Sequence, residues 1–237
     1  KFKDLYTYRA KSVLPEHCQT IVRALGDADR KSESLFISDF RRQTALIDPK
    51  FVSRASLEIR DIGQLYPDWL PRRSPWLSLS SRLFGRVNSP LLHRSQHLKA
   101  EFDWFWLDHG DGHKREKALR ALNTLPISAF EVMTIINRLN DWVPEVRKAA
   151  LDYAQRTIDA WPNEAVAEAS IYLCSKKSPH LRWSRQGRNL IKEMMFRHDV
   201  AAQIKDTLLR TANGPVAKLL SASLKEPYLD AHLVELA

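Results

Sequence analysis

The residues with most chemical potential lie close together in Asp108-His109-Gly110-Asp111-Gly112-His113. His93 and His97 stand upstream of them, four residues apart. Two histidines at that spacing share a helix face and could reach one metal ion, with the loop closing over it. The plainer reading is a helix-to-helix turn of Gly and Asp. No His-Glu-x-x-His arrangement backs the metal, so no metal ligand is assigned. Cys174 reads as a core thiol on a buried helix face. Cys18 follows His17, but adjacency in sequence does not aim an imidazole at a thiol. Gly85, Gly110 and Gly112 match no phosphate-loop or dinucleotide spacing, and no nucleophile elbow occurs. No catalytic residue and no cofactor site is therefore assigned; an enzyme is the third choice.

Charge gives a second kind of candidate. The formal net charge is +9. Residues 69–100 hold Arg72, Arg73, Arg82, Arg86, Arg94 and Lys99 without one acid. Residues 176–197 hold Lys176, Lys177, Arg182, Arg185, Arg188, Lys192 and Arg197 against Glu193 alone. Arg182, Arg185, Arg188 and Lys192 follow steps of three, three and four, which place them on one helix face. Such a stripe suits a nucleic-acid backbone or an acidic partner, as do Arg72 and Arg73. Its bland counterpart is a solvated basic surface. Trp104 and Trp106 flank Phe105 and read as core before they read as a stacking platform.

These residues must be carried by helices. The chain has 237 residues, 44% hydrophobic and 27% charged, which fits a globular chain of one or two domains. Only 7 are Gly, few for an all-β or nucleotide-loop protein. Two distant Cys make neither a zinc pattern nor a disulfide framework, as expected in a reducing, cytoplasmic setting. No apolar run is long enough to span a membrane, and the first residues lack a signal-peptide pattern. Both ends look cut, which reads as a piece of a longer protein.

Residues 1–85 form the less regular part, with helical patterns around 15–25 and 51–66. Pro67, Pro71 and Pro75 mark an extended connection over 67–76, with Trp69 and Trp76 tucked against later helices. From 86 to 237 the periodicity is helical. Pro90 opens a segment with Leu91, Leu98, Phe102, Phe105 and Trp106, which Gly110 and Gly112 end. The stretch 113–124 turns Ala118, Leu119, Leu122 and the following Leu125 to one side. Ser128 with Glu131 has capping-box spacing, and Phe130, Met133, Ile136 and Leu139 follow. Pro144 opens a helix with Val146, Ala149, Ala150 and Tyr153 inward. After a turn at Trp161-Pro162-Asn163, helices are expected over 164–175, from Pro179 onward with Leu190, Ile191 and Met194, and over 199–212 with Val200, Ile204, Leu208 and Leu209. Asn213-Gly214-Pro215 is a turn. Helices joined by tight Pro or Gly turns read as antiparallel pairs.

The segment Ile136 to Ala150 contains Leu139, Asp141, Pro144, Val146, Arg147, Ala149 and Ala150. In that order it resembles the HEAT repeat, a helix pair that stacks into α-solenoids. Fainter echoes lie about one helix pair away, at Lys114-Arg115 upstream and at Pro179-His180-Leu181-Arg182 downstream. The downstream copy departs from the pattern, with Lys176 and Lys177 in place of the turn Asp and Arg185 in place of a small residue. The resemblance is good over 130–160 and loose over 90–224. It implies that Asp141 pairs with Arg115 and Arg147 between successive repeats, so that these arginines are structural. Independently of the name, Ala149 and Ala150 allow close helix approach, and Pro144 fixes its helix's entry angle. Asp141 stands where a helix N-terminus favours negative charge. The expected fold is all-α, a short HEAT-like solenoid with a less regular helical N-terminal segment. The expected function is a non-catalytic scaffold that binds a protein partner or another part of its parent chain. Nucleic-acid binding is the alternative. A DNA-glycosylase-type enzyme on such repeats ranks last, since no acid is placed to mark one.

Overall fold

The computed structural model describes residues 12–27, 33–66, 103–175, 184–210 and 230. Among the described residues the secondary structure is entirely helical. Helix α1 spans Glu16–Asp27 and α2 spans Glu33–Thr44; a 3-10 turn at Pro49–Phe51 leads into α3, Val52–Ile62. A short α4, Asp103–Trp106, precedes α5 (Gly112–Ala121), α6 (Ala129–Leu139) and α7 (Pro144–Thr157). A 3-10 turn at Ile158–Ala160 then leads to α8 (Asn163–Ser175), α9 (Arg185–Phe196) and α10 (His198–Arg210). None of these helices is long and apolar enough to cross a membrane.

Local chemistry sets the boundaries. Ser128 caps α6, its Oγ accepting from the Glu131 amide at 3.3 Å. The Glu131 carboxylate turns back to the Ile127 amide at 2.8 Å, one residue earlier than a strict capping box places it. Pro144 occupies the first turn of α7, where its missing N–H costs no hydrogen bond. Ser184 caps α9 by accepting from the Gly187 amide at 2.9 Å. Far from its own helix, the Glu58 carboxylate of α3 accepts from the Val13 and Leu14 amides just ahead of α1.

Burial follows helical periodicity in α1 and covers every side in α6. Cys18, Ile21, Val22 and Leu25 line the inner face of α1. From Ala129 to Ile136, by contrast, every residue of α6 is buried, the mark of a helix enclosed on all sides. Helix α6 packs against α3, α7, α8 and the 3-10 turn at Pro49–Phe51. Helices two apart in the chain pack on each other: α5 on α7, α7 on α9, α6 on α8 and α8 on α10. At the other end α1 packs on α2 and α3. One hydrophobic cluster runs from Leu14 to Ile204, so the helices of residues 12–66 share the core of those that follow.

Several expectations need correction. Gly112 opens α5 instead of ending the preceding segment, because Asp111 caps that helix by accepting from the His113 amide. The helix stops at Ala121, Leu122 turns to an extended conformation, and Leu125 is exposed in the loop beyond it. Leu209 points outward from α10, while Val200 and Ile204 are buried. Helix α2 was not legible in advance. The readings at Trp69, Trp76, the prolines 67–90, Leu91, Leu98, Phe102, Pro179 and residues 213–215 lie outside the described residues, as does the Leu208 side chain.

Gly112, at the start of α5, lies close against Val143, the N-cap residue of α7. A Cβ there would stand 2.7 Å from Val143 Cγ2, and valine has few rotamers with which to yield. Gly112→Ala should cost about 1–3 kcal/mol by overpacking, read as a lowered urea midpoint. Adding Val143→Ala should recover most of that loss. A Gly112→Ala protein as stable as the parent would show that the two helices can part freely.

Candidate functional site

The polar residues flagged by sequence converge where α5, α6 and the α6–α7 turn meet. Asp141 sits two residues ahead of Val143, and its Oδ1 accepts from the Val143 amide at 3.0 Å, an Asx-type turn. Arg115 of α5 meets the same carboxylate as a fork, Nε to Oδ2 at 3.0 Å and Nη2 to Oδ1 at 2.8 Å. Its Nη1 donates to the carbonyls of His109 and Gly110. Both charged side chains are 2% exposed, so the pair is dry. This is the contact the resemblance implies for Arg115. Arg147 differs: its Nη1 donates to the main-chain carbonyls of Asp141 and Trp142, at 2.8 and 3.3 Å, and not to the carboxylate. Val146 and Ala150 are fully buried beneath them.

Arg138 extends the cluster. Its Nη1 lies 3.0 Å from Asp141 Oδ2, and its Nη2 lies 3.6 Å from Asp108 Oδ1. Nη2 also donates to Ser56 Oγ of α3, which donates in turn to Asp108. Arg60 of α3 donates to the Asp108 carbonyl at 2.9 Å. Two carboxylates and two guanidiniums thus alternate in the interior. Burial opposes ionisation of Asp141, but the Arg115 hydrogen bonds and the Arg138 charge outweigh it and hold this carboxyl below its usual range. At Asp108 burial prevails over the more distant Arg138, and the carboxyl is raised. Burial likewise lowers Arg138, whose Nε finds no acceptor among the described residues.

A second buried pair ties α2 to the start of α6. Arg41 Nε and Nη2 meet Glu131 at 2.7 and 2.9 Å, and Nη2 also donates to the Leu125 carbonyl. The guanidinium stacks 5.1 Å from the Trp104 ring. Neither Arg41 nor Ser56 was singled out from sequence. Phe36, Ile37, Phe40 and Thr44 at helical spacing could have revealed α2, but nothing local announces a partner 90 residues away.

Among the described residues no group of three His, Cys, Asp or Glu side chains could hold a metal ion. His109 is buried, stacks on Trp106 at 5.1 Å, and accepts from the Asp111 amide through Nδ1. Burial, then the nearby Lys114 charge, drives its pKa down to about 3. His93 and His97 lie outside the described residues. Cys18 is buried and its thiol is pushed up to about 12, so it is no nucleophile at neutral pH. Cys174 falls within α8. A cavity lined by Phe40, Trp104, Asp108, Phe130 and Glu131 measures about 10 Å³, the room of one water and not of a substrate.

The basic candidates lie elsewhere. Arg185, Arg188 and Lys192 are exposed on α9. Arg182, Arg72 and Arg73 are outside the described residues. No protein-family model matches the chain, and no curated protein or solved structure is significantly similar to it. The reading of function therefore rests on the chain's own residues.

Two expectations follow. Asp141→Ala strands Arg115 and Arg138 in the interior and should cost about 3–5 kcal/mol. In a denaturant series the loss should shrink when Arg115→Met is added; additive losses would show that the fork is not the coupling element. His109 is neutral in the fold yet titrates near 6.5 when unfolded. Its contribution is present above pH 6.5 and fades as pH falls toward 3. Asp103, raised to about 7 mainly by burial, works oppositely over the same range. The two slopes tend to cancel in the parent. His109→Asn, which can still accept from the Asp111 amide, should unmask a fall in Tm as pH rises from 4 to 7.

Proposed function

We propose that the chain is a non-catalytic binding module, a HEAT-like stack that engages a protein partner through the edge formed by its interhelical turns. The observation that carries this reading is Trp142, 68% exposed at the α6–α7 turn. A large aromatic side chain in water on a turn this rigid is the usual anchor of a protein interface. The rigidity comes from below: Arg147 holds the Trp142 carbonyl, and Asp141 holds the Val143 amide. Ordering entropy is thus spent in folding, before any partner arrives. The buried ion pairs support the same reading, since Arg41, Arg115 and Arg138 are bound to Glu131, Asp141 and Asp108 within the fold.

Affinity capture from the native cell extract with the parent chain and with Trp142→Ala tests this. The variant should keep its Tm within about 2 °C, because the ring is exposed, and should lose the captured protein by tenfold or more. Capture should survive nuclease treatment. Capture unaffected by Trp142→Ala, or abolished by nuclease, would overturn the reading.

A further inference from the structure

We propose that the outward face of α9 is a contact surface for the phosphate backbone of nucleic acid, bound without regard to base sequence. Leu190, Ile191, Met194 and Met195 of this helix are buried in the core. Arg185, Arg188 and Lys192 then lie outward within an arc of about 60°, given 3.6 residues per turn. Along the axis they are about 4.5 and 6 Å apart at 1.5 Å per residue, a spacing that long flexible side chains match to successive phosphates. Asn189 and Gln186 are exposed beside them and add neutral donors. The helix carries one acid, Glu193.

The kind of partner follows from what this face lacks. Its exposed residues with described side chains are all polar: Arg185, Gln186, Arg188, Asn189, Lys192 and Glu193. A protein interface needs an apolar or aromatic anchor, as Trp142 provides elsewhere. A membrane-surface helix needs an apolar flank to sink between headgroups. A face of cations and hydrogen-bond donors with a single acid, Glu193, fits a hydrated, repeating polyanion. Two of the three cations are arginines, whose planar fork suits phosphate oxygens. Arg185 and Arg188 occupy its first turns, where the helix dipole disfavours positive charge, and its last turn holds no basic residue.

The experiment measures anisotropy of a fluorescent 20-nucleotide oligothymidylate, and of a duplex of equal length, titrated with the full 237-residue chain between 50 and 200 mM salt. The parent should bind both, with affinity falling steeply as salt rises. Arg185→Gln/Arg188→Gln/Lys192→Gln should lower affinity at least tenfold. It should also reduce the log–log salt slope by about 2 for the single strand and about 2.7 for the duplex, the values for three phosphate contacts. Lys148→Gln/Arg156→Gln, which removes exposed cations from α7, should change the slope by less than 1. Circular dichroism and Tm confirm that each variant is folded. No binding by the parent, an unchanged slope in the α9 variant, or tighter binding to a poly-glutamate peptide than to the oligonucleotides would overturn the proposal. It stands or falls separately from the Trp142 edge, whose variant should bind oligonucleotide as the parent does.

Discussion

A guanidinium and a carboxylate taken out of water together are stable only in one geometry, and the Arg115–Asp141 fork fixes the fold at that geometry. The fork cannot rotate or slide without leaving buried charge unpaired. It therefore sets where α5 lies relative to the α6–α7 turn. Through Nη1 it also sets the path of the His109–Gly110 main chain. Arg138 passes the constraint to Asp108 and Ser56, and so to α3, an element far away in sequence. Apolar contacts hold these helices together, but they tolerate small shifts in register. The alternating charges do not.

The same arrangement explains where the excess positive charge resides. Asp108 and Asp141 balance Arg115 and Arg138, and Glu131 balances Arg41. The interior clusters are close to neutral, so the +9 of the chain belongs largely to its other residues. A rigid neutral interior with a charged exterior is suited to recognition at the surface. Within these clusters Arg138 lies between the carboxylates of Asp108 and Asp141.

Much of the backbone was legible because its signals are local. Ser128, Pro144 and the periodicity of Val146, Ala149, Ala150 and Tyr153 each act within a turn or two, and each performs as its spacing implies. Leu125 and Leu209 misled because periodicity was carried on past the point where a helix ends or its face turns outward. The polar core was legible only in part. The Asp141 position could be paired with Arg115 because both fall in one repeat pattern. Arg41 with Glu131, and Ser56 with Arg138, join elements 90 and 82 residues apart, and no spacing rule spans that distance. His109 was ambiguous for a related reason. Its sequence neighbours look like ligands, whereas its actual partners are the Trp106 ring and a main-chain amide.

Arginine carries two opposite tasks here, and the surroundings decide which. In the interior each guanidinium donates to specified acceptors, and substitution there is a question of stability. On α9 Arg185, Arg188 and Lys192 are exposed, where water and salt screen the attraction between charges. Helix α9 packs on α7, α8 and α10, so the interior fixes the helix that holds these cations in line.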